Sequence, residues 1–100
     1  MRQTYYVFEA RRYFFVLSFS KSKRASGNFN LVSARAVEHV RRSFAGRQDL
    51  TAKHLATRSR KPRLVGSALH ALNILYVLVA IGAAVRDERF RDRELHFNLR

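Results

Sequence analysis

The spacing of apolar positions changes repeatedly along this chain. Residues 4–19, TYYVFEARRYFFVLSF, are dense in Tyr, Phe and Val, side chains that suit a pleated, half-buried surface. Glu9 to Arg12 interrupts the run, so the pattern predicts two strands joined at that break. A single amphipathic helix is the alternative, because Tyr5, Phe8, Phe15 and Phe19 are roughly helically spaced, although Arg12 falls on the same face. Residues 20–28, SKSKRASGN, are polar and basic and end in a Gly-Asn turn signal, which predicts a loop.

A period near 3.6 follows. Val37, Val40 and Phe44 make one apolar stripe, with Ser33 as N-cap and Gly46 as stop. Arg35, Arg41 and Arg42 lie off the stripe, so a short amphipathic helix with a basic outer face is expected. A second helix starts in DLTAKHLATR, residues 49–58, capped by Asp49 or Thr51, with Leu50, Ala52, Leu55 and Ala56 facing inward. SRKPR ends it, and Pro62 can open a third, long apolar helix. After Gly82 the period drops to two. Leu95, Phe97 and Leu99 alternate with Glu94, His96 and Asn98, and AAV before RDERFRDR supplies a partner strand, giving a hairpin with a charged tip at residues 86–93.

Residues 64–85, LVGSALHALNILYVLVAIGAAV, hold no charged side chain over 22 residues, enough to cross a bilayer core of about 30 Å. Against a membrane span stand His70 and Asn73, each unfavourable in lipid without a partner. The flanks are also symmetric, with four Lys or Arg in residues 54–63 and four in 86–95, so no positive-inside bias sets a topology. A single-span accessory subunit of a membrane complex stays open as an alternative. The expectation is a protein of the cytoplasm, associated with the nucleoid.

Charge sharpens the picture. The chain carries 20 Lys and Arg against 7 Asp and Glu, a formal +13. Residues 1–63 hold 15 basic and 3 acidic groups, residues 64–85 none, and residues 86–100 five and four. A surplus of this size self-repels unless a polyanion neutralises it, which points to nucleic acid or an anionic membrane surface. The absence of cysteine removes disulfides, thiolate catalysis and Cys-based zinc sites. No secretory h-region forms before Glu9, Arg11 and Arg12. The first 37 residues have a transit-peptide-like composition, but their aromatic clustering reads as folded strand.

DLTAKHLA, then RKPRLVGSALHALNILYVLVAIGAAVRD, then RFRDRELHFNL, together resemble the winged helix-turn-helix family over residues 33–99. Leu50-Thr51, Leu55-Ala56, Leu78, Gly82, Ala84 and Val85 occupy the places that carry the resemblance. It implies an α+β fold of three helices with a C-terminal β-hairpin wing, here preceded by an aromatic-rich β extension. The domain would span residues 31–100, with residues 1–30 as extension and basic loop. The stretch before Gly82 is longer than the family's usual one, and the third helix is apolar nearly all round. The resemblance implies duplex DNA bound by the third helix and the wing, as a regulator or nucleoid-type factor. Arg58, Arg60, Lys61, Arg63, Ser67, His70 and Asn73 would face the nucleic acid, together with Arg89, Arg91 and Arg93 in the wing and Lys21, Lys23 and Arg24 in the basic loop. His70 and Asn73 could read base edges; the alternative is that they are polar residues on a solvated face. A winged-helix ribosomal or other RNA-binding protein fits the same residues. Ile74, Tyr76, Val77, Ala80 and Ile81 offer more apolar surface than one small core uses, which predicts a homodimer interface.

Other chemistry is poorly represented. His39, His54, His70 and His96 have no metal-ligand spacing, and Asp87, Glu88, Asp92 and Glu94 interleave with arginines as local compensation. No Gly-rich phosphate loop is present. A non-enzymatic protein without cofactor or metal is the expectation.

Overall fold

The break at residues 10–12 turns the first aromatic run into a hairpin. β1 (Thr4–Glu9) and β2 (Tyr13–Phe19) pair antiparallel with Val7 opposite Val16 and Phe8 opposite Phe15. The Ala10 amide closes the turn on the Tyr13 carbonyl at 2.8 Å. The protein's structure, a computed structural model, describes residues 4–19, 27–88 and 95–100. A third strand, β3 (Gly27–Ser33), adds to β2 with Tyr13 opposite Ser33 and Phe15 opposite Leu31. It begins inside the segment read as loop and runs across residue 30, where an extension was expected to end. Alternation sends Phe14, Val16 and Val32 inward to burial.

The chain passes from strand to helix without a loop. Ser33 ends β3 and caps α1 (Ala34–Ser43), its hydroxyl accepting the Ala36 amide at 3.1 Å. Ala36, Val37 and Val40 form the buried stripe, and Gly46 at φ 78° carries the turn that follows. A short β4 (Leu50–Thr51) leads into α2 (Ala52–Arg58), capped by Thr51, whose hydroxyl accepts the His54 amide at 3.1 Å.

Residues 59–66 form a tight turn rather than the start of a helix. The Lys61 carbonyl accepts both the Leu64 and Val65 amides at 2.9 Å, and buried Val65 pins the turn to the core. α3 (Ala68–Ala80) starts at the next good cap, Ser67, which accepts the His70 amide at 3.1 Å. It ends in a Schellman arrangement about Gly82 at φ 81°. There the Ala83 amide reaches the Leu78 carbonyl at 2.8 Å and the Gly82 amide reaches Val79 at 3.1 Å.

β5 (Ala84–Arg86) and β6 (His96–Leu99) form the C-terminal hairpin, and β6 also pairs with β4, giving a second sheet ordered β4-β6-β5. Asn98 ties its two edges: its carboxamide oxygen accepts the Asp49 amide at 2.8 Å and its nitrogen donates to Asp87 at 3.1 Å. The Asp49 carboxylate also bonds His96 Nδ1.

α3 is the axis of the core. It packs on α1, α2, β5 and all three strands of the first sheet, and Ile74, Leu75, Val77 and Leu78 are fully buried. Tyr76 stacks on Tyr5 of β1 with ring centroids 4.1 Å apart and meets Phe97 edge-on at 6.4 Å. Burial raises the hydroxyl pKa of both tyrosines. Tyr5 adds to the rise at Tyr76, and the Arg86 charge opposes it at both.

These contacts correct several expectations. The α+β class stands, but the winged helix-turn-helix architecture does not. Strands come first, and β1–β3 form a complete sheet ahead of α1 that shares the core, rather than an extension to three helices and a C-terminal wing. The long apolar segment does not begin its helix at Pro62, because the Ser67 cap and the Val65 anchor outweigh proline's preference for a first helical position. Nor are residues 64–85 one element: turn, helix and strand divide them, and α3 is 13 residues long, about 20 Å. Among the described residues no helix is long and apolar enough to cross a membrane. Ile74 and Val77, read as dimer contacts, are fully buried in the chain's own core, and Tyr76 is half-buried against Tyr5. Of that group only Ala80 and Ile81 are exposed.

Candidate nucleic-acid interface

Two helix ends converge on a basic groove. The C-terminal turn of α1 supplies His39 and Ser43, and Phe44 and Arg47 follow it; the end of α2 and the turn beyond supply Thr57, Arg58, Ser59, Arg60 and Lys61. The open groove has a volume of about 620 Å³. Among the described residues its lining holds four Lys or Arg side chains, three hydroxyls and no carboxylate. His39 joins the two sides of the lining, with Nε2 3.2 Å from the Ser59 hydroxyl and Nδ1 3.3 Å from that of Ser43. Arg47 is held over the Phe44 ring at 5.7 Å from its centroid.

An adjoining depression of about 360 Å³ continues along α1, lined by Arg35, Glu38 and Arg42 and sharing His39, Ser43 and Lys61 with the groove. Its one acid, Glu38, is engaged by its own helix. Arg41 donates to it at 2.7 and 3.0 Å and Arg42 at 2.8 Å. The Arg41 hydrogen bond, above all, holds the Glu38 carboxyl below its usual range. The carboxylates of the ends of α1 and α2 are thus few, and the partial negative charges of the two helix C-termini, about half a unit each, are smaller than the four cations they face. The arrangement suits a polyanion held by charge-assisted hydrogen bonds from guanidinium groups.

The residues named from sequence divide sharply. Arg58, Arg60 and Lys61 come together in the groove, while Arg63 is exposed on the turn beyond it. The Ser67 hydroxyl is taken up by its cap, and His70 is half-buried. Asn73 cannot read a base: it is 4% exposed, and its side-chain nitrogen donates to the Leu69 carbonyl at 2.9 Å. The face of α3 that does reach solvent at its start is apolar. Leu69 is 63% exposed and, with Leu72 and Leu95, borders an apolar groove beside α2. Lys21, Lys23, Arg24, Arg89, Arg91 and Arg93 lie outside the described residues.

Arg35, His39, Arg42, Ser43 and Arg47 were not assigned to the site from sequence. The available signal was the off-stripe position of Arg35 and Arg42; nothing local indicates that α1 packs beside residues 57–61. Among the described residues no group of three His, Asp or Glu is placed to hold a metal ion. Comparison of the chain with protein-family models, curated proteins and solved structures gives no match.

Proposed function

We propose that this protein binds nucleic acid, holding the phosphate backbone in the groove between the end of α1 and residues 57–61. The observation that carries this reading is the convergence of Arg47, Arg58, Arg60 and Lys61 on one groove whose lining, among the described residues, includes no carboxylate. Phosphate contact requires cations and hydroxyls along a surface rather than a base-reading helix, and this groove offers both. The formal +13 of the whole chain supports the same reading, since it favours polyanions at long range.

The test is salt dependence. Binding of fluorescein-labelled nucleic acid, followed by anisotropy between about 50 and 200 mM salt, is expected to weaken log-linearly, by roughly 0.7–0.9 in slope per phosphate contacted. The triple variant Arg58→Ala, Arg60→Ala, Lys61→Ala should lose about two units of that slope, whereas Lys53→Ala, outside the groove, should lose much less. A triple variant with the parent's slope, or a parent with no affinity at low salt, would sink the proposal.

A further inference from the structure

The outer face of the first sheet has the wrong composition for a surface that only meets water. A one-sided antiparallel sheet ordinarily turns polar side chains outward. Here the register builds two apolar rows, Tyr6–Leu17–Phe29 and Phe8–Phe15–Leu31, with Tyr13 at the end. Phe29 is 62% exposed, Phe8 55%, Tyr6 51%, Leu31 46% and Tyr13 44%. The Phe15 and Phe29 rings lie nearly parallel, 18° between planes and 5.6 Å between centroids.

We infer that this face is a stacking platform for the unpaired bases of a single-stranded nucleic acid, with Phe8, Phe29 and Tyr13 as the principal rings. The inference rests on the nucleic-acid reading above and specifies which form of nucleic acid is bound. Charge selects the occupant. Arg11 and Arg12 form the turn at the Tyr13 end of the sheet, and the Ala34 amide donates to the Arg12 carbonyl at 2.8 Å, which brings Arg35 to the same corner. Arg35 opens the depression along α1 that leads to the groove, so cations continue from the rings to the phosphate site. A second copy of the chain fits less well. At about 200 Å² per large side chain, the five residues expose on the order of 500 Å², below the roughly 800 Å² each partner of a standard interface contributes. Two such copies would also bring like charges of +13 together. A strand offers π-faces to the rings and phosphates to the arginines at once, whereas duplex bases have their faces covered by their neighbours.

Phe8→Ala/Phe29→Ala tests this at exposed positions, and Phe8→Leu/Phe29→Leu repeats it with apolar surface retained and the rings removed. The probes are an oligouridylate of about 12 nucleotides, an abasic strand of equal length and a duplex hairpin. The parent should prefer the oligouridylate to the abasic strand, and both variants should bind it about tenfold or more weakly. Their affinity for the other two probes and their salt slope should match the parent's. The groove triple variant, by contrast, should weaken on all three. Equal binding of oligouridylate and abasic strand by the parent, or undiminished oligouridylate binding by both ring variants, overturns the platform and leaves the phosphate groove standing. Failure of the parent to bind any probe removes both readings. A parent dimer in sedimentation that the ring variants dissociate without change in oligouridylate binding gives the face to a second copy instead.

Discussion

α1 and α3 touch each other in one core, yet they present opposite solutions to burial. α1 keeps a single apolar stripe inward, Ala36, Val37 and Val40, and turns Arg35, Arg41 and Arg42 out. α3 buries a much broader face, Ala71, Asn73, Ile74, Leu75, Val77 and Leu78, because α1, α2, β5 and the whole first sheet pack against it, and it leaves Leu69 and Ala80 exposed. The apolar breadth of α3 is therefore met in large part by its own chain. An aromatic sheet earlier in the same chain covers it.

The sharpest way to break this contrast is to hollow α3. Ile74→Ala should cost about 2–5 kcal/mol in chemical denaturation, since the side chain is fully buried, whereas Arg35→Ala on the outer face of α1 should stay within about 0.5 kcal/mol. A small effect at Ile74 would mean that α3 is only loosely held by the sheet. Next come the caps. Ser33→Ala and Ser67→Ala each remove a hydroxyl that accepts an amide at 3.1 Å, with an expected loss of about 0.5–2 kcal/mol. Ser33 should lie higher in that range, because α1 has packing on one side only. The smallest effect concerns the Tyr5–Tyr76 stack that seals the sheet on α3. Both hydroxyls titrate above their ordinary value when folded, so the unfolded chain releases these protons first. Stability is then fully present below about pH 10 and falls as pH rises through the folded values. Thermal melts from pH 9 to pH 11 should show the decline, and Tyr76→Phe should flatten it.

The same contrast explains what could be read in advance. α1 was legible because stripe, cap and stop agree locally: Val37, Val40 and Phe44, then Ser33, then Gly46. The start of α3 was not, because Pro62 and Ser67 both signal a helix start, and the winner depends on whether Val65 finds the core. Asn73 looked like a surface residue. A hydrogen bond to the carbonyl one turn back satisfies it within its own helix and lets it be buried. β3 was hidden by the polar, glycine-containing start that it shares with the preceding basic segment. At the candidate site, Arg58, Arg60 and Lys61 stood out as a local cluster, whereas Arg47 and His39 join them only because the end of α1 lies beside residues 57–61. Periodicity reports the face a helix hides, not the neighbour that meets its other side.

Ser33 belongs at once to the last strand of the first sheet and to the cap of α1. No linker separates the sheet from the helix. α1 spans ten residues, about 15 Å, and that length becomes a fixed ruler between the ring-bearing face and the basic groove. If the proposed sites both bind, a ligand shorter than the ruler would occupy one end or the other, and a strand of several nucleotides could occupy both. Affinity should therefore rise in a step, not smoothly, as the strand is lengthened past that distance.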